Sequence, residues 1–128
     1  MTSYLLDTNH LSPLVTPGHP LRNRILETTK LGHQFAIAAP AFNGSAMCAI
    51  QNWREWELIR HDFVYYDVSV NDAERAAKLR IQLRKHGRQL EAIDSMLAII
   101  ALRNDLTILT RDKDFQAVPG LKQEDWSE

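Results

Sequence analysis

The chain has a single cysteine, Cys48, so no intrachain disulfide can form. Cys48 lies in the apolar stretch "SAMCAI", where a thiol serves as a small buried hydrophobe. That usage fits a reducing compartment, and a cytoplasmic protein is the expectation. No apolar run approaches the ~18 residues that a membrane span needs. No basic patch followed by an apolar segment opens the chain, so no signal peptide and no membrane partner are expected. The five glycines are scattered, which leaves no phosphate-cradling loop. His10, His19, His33, His61 and His86 show no H-x-x-x-H spacing and Cys48 has no partner, so nothing points to zinc. There is no nucleophile elbow, internal repeat, low-complexity tract or linker. Neither charge is in excess. Fifteen Lys and Arg stand against 16 Asp and Glu, a net charge of −1 that neither favours nor excludes nucleic acid.

What remains is a chain of 128 residues, 45% hydrophobic, the size and composition of one domain spanning 1–128. Five segments read as strands: Tyr4 to Leu6, "QFAIAA", "FVYYDV", "LTILT" and, at the end, "LKQE". Helical patterns fall between them. "TNHLSPLV" reads as a first helical segment, and "PLRNRILETTKL" carries Leu21, Ile25 and Leu26 on one face. "PAFNGSAMCAIQNWREWELIR" is helical from Pro40, a favourable first-turn proline. A basic helix follows, capped by Ser69 or Asn71 and ended by Gly87. "EAIDSMLAIIALRN" is apolar on nearly every side and therefore buried. Strands alternating with helices predict an α/β fold with a parallel sheet. In such sheets the sites lie outside the carboxyl ends of the strands.

Acidic residues collect at those ends. Asp7 follows the first strand, Asp112 and Asp114 follow the fourth, and Asp94 lies in the first turn of the buried helix. Each has an ordinary use when taken singly. Asp7 with Thr8 and Asn9 caps a helix, Asp112 makes a turn, and Asp94 is a helix N-terminal charge. Taken together, three carboxylate sources on one edge repel each other unless they bind protons or a cation. Oxygen-only donors suit Mg²⁺ or Mn²⁺, and the matching chemistry is metal-assisted phosphodiester hydrolysis. The basic helix and its end, "ERAAKLRIQLRKHGRQ" (74–89), hold Arg75, Lys78, Arg80, Arg84, Lys85 and Arg88. At about 100° per residue, Ala76, Leu79 and Leu83 share its apolar face and most cations point elsewhere. Such a stripe is either a solvated face or a phosphate-contacting one, with Arg80, Arg84, Lys85 and Arg88 as candidate RNA contacts.

"YLLDTNHLS", "DSMLAIIAL" and "LTRDKDFQAVPGLKQEDW", in that order, resemble the PIN-domain family, and within it the VapC-type toxin ribonucleases of bacterial toxin–antitoxin pairs. The resemblance covers essentially the whole chain. It implies an α/β/α sandwich around a parallel sheet of about five strands, Mg²⁺- or Mn²⁺-dependent cleavage of RNA, a homodimer, and an antitoxin whose tail blocks the acidic site. Asp7, Asp94, Asp112 and Asp114 match the family's acidic positions, with Asp112 favoured over Asp114 as a direct metal ligand. Thr8, Asn9 and Thr110 match its polar supporting positions.

One position departs. The family carries a glutamate in the helix after its second strand, in a pattern like P-A-x-x-E, and here Gly44 stands in its place. Glu55 and Glu57 lie too far along to substitute, and Glu91, three residues before Asp94, does not match the pattern. The expectation is a metal-dependent ribonuclease toxin, either active or weakened at Gly44. The alternative is a catalytically inactive PIN-like protein that acts by binding an antitoxin or RNA. A receiver-like or phosphatase-like domain is a third reading, but it needs a strand-end lysine or a D-x-D-x nucleophile motif that is not in the right place.

Overall fold

The computed structural model describes residues 1–42 and 50–127. Five short strands form one sheet, β1 (Ser3–Leu6), β2 (Gln34–Ala38), β3 (Val64–Tyr66), β4 (Thr107–Leu109) and β5 (Lys122–Glu124). The order is β3-β2-β1-β4-β5 and every neighbouring pair is parallel. The expected α/β architecture with five parallel strands is therefore what forms. β1, β2 and β4 are buried almost throughout, as strands covered on both faces must be, whereas β3 and β5 are largely exposed edges.

Among the described residues, five α-helices lie between the strands: α1 (Thr8–Leu11), α2 (Pro20–Lys30), α3 (Ile50–Ile59), α4 (Val70–Lys85) and α5 (Ala92–Arg103). The chain winds β1 to β2 to β3 in one direction, then crosses back over the sheet to β4 and β5. Right-handed crossovers then place α2 and α3 on one face and α4 and α5 on the other. The contacts follow that partition. α2 and α3 both pack on the turn Ser12–Val15, and α4 packs along α5. Leu5, Phe35, Ile37, Ile108, Leu97 and Ile100 fill the centre of the core with no exposed surface.

Local chemistry explains the element boundaries. The segment 8–15, expected as one helical stretch, divides into α1 and a 3-10 turn over Ser12–Val15. Pro13 has no N–H to continue the α-helical ladder, so the chain tightens. The strand expected over "FVYYDV" is confined to Val64–Tyr66, because its ladder ends where β2 ends, at the pair Ala38 and Tyr66. Residues 39–42 form a 3-10 turn. α4 begins with a capping box in which Ser69 Oγ accepts from the Asp72 N–H and the Asp72 carboxylate accepts from the Ser69 N–H. Such a cap contributes about 1 kcal/mol. The helix stops at His86, and Gly87 adopts the left-handed conformation, φ 70°, that lets the chain turn away. The buried faces of α4 are Ala76, Leu79 and Leu83, as the periodicity predicts.

Candidate active site

The sheet reverses its winding between β1 and β4, and crevices form at the carboxyl end of such a switch point. The register pairs Leu6 with Leu109, so the next residues, Asp7 and Thr110, leave the sheet side by side. The Asp7 N–H donates to the Leu109 carbonyl at 3.0 Å and fixes the exit of β1 against β4.

Asp7 is buried, and its carboxylate is held on both oxygens. Oδ1 accepts from the Thr8 N–H at 2.8 Å as the cap of α1. Oδ2 accepts from Thr110 Oγ1 at 2.6 Å and from Asn9 Nδ2 at 3.3 Å. Thr110 Oγ1 in turn accepts from the Asp112 N–H at 2.9 Å. Asp112 Oδ1 accepts from the Asp114 N–H at 2.9 Å and caps the 3-10 turn Lys113–Ala117. Gln123 Nε2, from β5, donates to the Asp112 carbonyl at 2.9 Å. The ordinary capping roles of Asp7 and Asp112 are thus real. They also hold both carboxylates at one edge. Asp112 is half-buried and Asp114 is exposed, so Asp112 is the inner of the two.

Asp94 reaches the same edge from the first turn of α5. Its pKa is pushed up to about 7, first by burial and then by the charges of Asp7, Asp112, Glu91 and Asp114. Among the described residues no cation or donor offsets this, and the Glu91 cap of α5 makes no side-chain bond. Beside Asp94, a groove of about 670 Å³ runs between Ala39, Pro40, Asp67, Val68, Ile93 and Met96 at the carboxyl ends of β2 and β3.

The donor set is carboxylate oxygen only, which fits a hard divalent cation in chemistry, and the crowding that raises Asp94 is what a cation would relieve. Among the described residues, however, no three acidic, histidine or cysteine side chains already converge closely enough to hold an ion. The Asp7 and Asp112 carboxylates are engaged by caps instead. Gly44, where a further carboxylate was expected, lies outside the described residues, as does Cys48. Glu55 is turned away and pairs with Arg22 at 2.9 Å.

A family model for the PIN domain matches residues 4–121. The chain belongs to the PIN domain family. Over 69 residues it is 35% identical to the tRNA(fMet)-specific endonuclease VapC of Shigella flexneri, covering 53% of this chain and 51% of that protein. The chain thus spans about half the length of that curated relative. Solved structures match more fully in fold. VapBC2 of Rickettsia felis, bound to a DNA fragment from its promoter, aligns with a TM-score of 0.82 at 20% identity over 98% of this chain and 99% of that one. DNA-bound VapBC of Salmonella typhimurium aligns with a TM-score of 0.76, also at 20% identity, over 98% and 99%.

Within this PIN domain the sequence reading brings Asp7, Thr8, Asn9, Asp94, Thr110, Asp112 and Asp114 to one edge. The basic residues sit elsewhere, on α4 and in the turn that follows it. Arg84, Lys85 and Arg88 are exposed, while Arg80 is half-buried and its Nε donates to the Leu90 carbonyl at 3.1 Å. Lys85 and Arg88 line a separate cavity of about 400 Å³ with Leu79, Leu83, His86 and Pro119. Two residues of the site edge escape the sequence reading, His10 and Trp126. His10 is fully buried, Nδ1 lies 2.6 Å from Asn9 Oδ1, and Nε2 accepts from the Trp126 N–H at 3.0 Å. Burial holds its pKa down to about 4, against the pull of Asp125, whose Oδ1 is 3.4 Å from Nε2. The ring is neutral at pH 7. The only sequence signal was a histidine one helical step after the D-T-N start, next to nothing charged in the chain. Among the described residues no helix is long and apolar enough to cross a membrane.

Proposed function

We propose that the chain is a metal-dependent endoribonuclease, the toxin of a type II toxin–antitoxin pair, which hydrolyses RNA phosphodiesters. The observation that carries this reading is the gathering of Asp7, Asp94 and Asp112 at the switch point of a PIN fold, where crowding and burial raise the Asp94 carboxyl. The endonuclease activity of the Shigella flexneri relative supports it. Residues 1–128 would act as one PIN domain, as a homodimer in the cytoplasm and with a cognate antitoxin; the likeness of the fold to VapBC assemblies supports the pairing.

Asp7, Asp94 and Asp112 would hold Mg²⁺ or Mn²⁺, with Asp114 adjacent. When bound, the cation supplies a Lewis acid for a phosphoryl oxygen and an activated water at neutral pH. The protein's own residues do the rest. Thr110, Thr8 and Asn9 orient Asp7. The Asp94 carboxyl, poised near neutral pH, exchanges a proton readily when no cation neighbours it. Arg84, Lys85 and Arg88, with Arg80 in part, present positive charge to RNA phosphates.

Gly44 favours one second reading, a chain that binds antitoxin or RNA without cutting. Cleavage of a mixed RNA pool with Mn²⁺ and with chelator separates the two. Metal-dependent cutting that Asp7→Asn abolishes supports the nuclease. An intact pool together with nanomolar antitoxin binding sinks it.

A further inference from the structure

His10 takes no part in the chemistry above, yet it is a fully buried polar ring two hydrogen bonds from Asp7. Its surroundings fix the direction of every hydrogen bond between them. The Arg111 backbone N–H points at one atom of the Asn9 amide at 3.2 Å, and an N–H can only donate, so that atom is Oδ1. Nδ2 must then face Asp7 Oδ2 and Thr110 Oγ1, each at 3.3 Å. At the other end the Trp126 N–H points at His10 Nε2, so Nε2 is the bare nitrogen and Nδ1 carries the proton that Asn9 Oδ1 accepts. Two backbone donors thus set one polarity along the chain, from Trp126 through His10 and Asn9 to Asp7. The Trp126 end is packed in place. Its ring meets Tyr4 and Phe35 edge-on at 4.9 and 5.7 Å between centroids, and the Arg24 guanidinium covers it at 3.9 Å.

We propose that His10 is a positioning residue for the Asp7 carboxylate, acting through the Asn9 amide and braced from behind by the Trp126 backbone. Without the Nδ1–H donor, Asn9 Oδ1 keeps only the Arg111 N–H, and the amide is free to turn away from Asp7. In catalysis this rests on the ribonuclease reading; in metal affinity and ring tautomer it does not.

Two substitutions each keep one end of the ring. His10→Asn places an amide N–H where Nδ1–H stood and loses the acceptor for Trp126. His10→Gln places an amide oxygen where Nε2 stood and loses the donor to Asn9. Mn²⁺ affinity by calorimetry, kcat and KM for RNA cleavage, and melting temperature are measured for both. His10→Gln should lose about 10- to 100-fold in Mn²⁺ affinity and kcat with KM unchanged, the size of outer-shell effects on metal sites, while His10→Asn stays within about threefold of the parent. A His10 that merely ties down the C-terminal segment gives the reverse order or equal losses, and either result overturns the proposal. Nitrogen-15 spectra of the parent should show a neutral ring protonated on Nδ1 at pH 7, and protonation on Nε2 overturns it even if neither variant folds. Should the parent cut no RNA, the ribonuclease reading fails, while Mn²⁺ affinity and tautomer still decide the role of His10.

Discussion

Asp72 and Asp94 occupy the same place on two packed helices, the third residue of α4 and the third of α5. Asp72 is fully buried, bonded within its capping box and held by Arg103, whose Nε and Nη2 donate to its two oxygens at 2.9 and 3.0 Å. Burial alone would raise its pKa, but the bonds from Ser69 and Arg103 outweigh it and hold the carboxyl below its usual range. Asp94 is half-buried, its N-cap offers no side chain, and what faces it is Asp7, Asp112, Glu91 and Asp114. Its pKa moves the other way, to about 7. One helix position thus serves as a structural tie where the fold supplies a cation, and as a poised carboxyl where it supplies more anions.

The comparison breaks most visibly in activity. Asp7→Asn and Asp94→Asn should each cut Mn²⁺-dependent RNA cleavage by more than the ~100-fold typical of outer-shell changes and weaken Mn²⁺ binding. Asp72→Asn should leave the rate per folded molecule within about twofold. If Asp72→Asn and Asp94→Asn impair cleavage equally, the two aspartates do not differ in role.

Stability should show the inverse pattern. Asp72→Ala leaves Arg103 of α5 without its partner on α4 and removes the carboxylate half of the capping box, a loss of about 2–4 kcal/mol in urea unfolding, kept below the fully buried range because Arg103 is partly exposed. A loss under about 1 kcal/mol would show the pair to be a surface ornament.

Adding a carboxylate sharpens the comparison. Gly44→Glu should tighten Mn²⁺ binding and raise cleavage by about tenfold, the tightening coming from one more anionic ligand. A parent that already cuts as fast means that position 44 is not the missing ligand.

A smaller effect lies in pH. Asp94 titrates near ~3.9 when unfolded and about 7 when folded, so the folded state holds the extra proton between those values. Asp94 therefore costs nothing below about pH 4, and its penalty grows as pH rises to about 7 and is constant above. In chelator, Asp94→Asn should melt with the parent at pH 4 and several degrees above it at pH 8. A gap that is the same at both values would remove the like-charge account of Asp94.

The smallest change expected is in salt dependence. Arg84→Ala with Arg88→Ala should weaken RNA binding for all sequences and flatten the log–log salt slope by about 1.4, two single-strand phosphate contacts. An unchanged slope makes the end of α4 and the turn after it a solvated face.

Strand and helix positions were legible because their periodicities are local: buried runs at β1, β2 and β4, the Ala76, Leu79 and Leu83 stripe, and the glycine after α4. The sequence by itself also marked Asp7 and Asp112 as candidates for the chemistry, since a parallel sheet sends the residues that follow its strands to the same edge. Helix position alone did not separate Asp72 from Asp94, because each is an acid in a helix's first turn; the family resemblance picked out Asp94, and the physical distinction lies in Arg103, 31 residues from Asp72, and in the charges of Asp7 and Asp112. Nor did the sequence single out His10, whose bond to the Trp126 backbone spans 116 positions. The tertiary structure decided these because charge and hydrogen-bond direction are set by neighbours in space, and the switch between β1 and β4 is what makes distant residues neighbours.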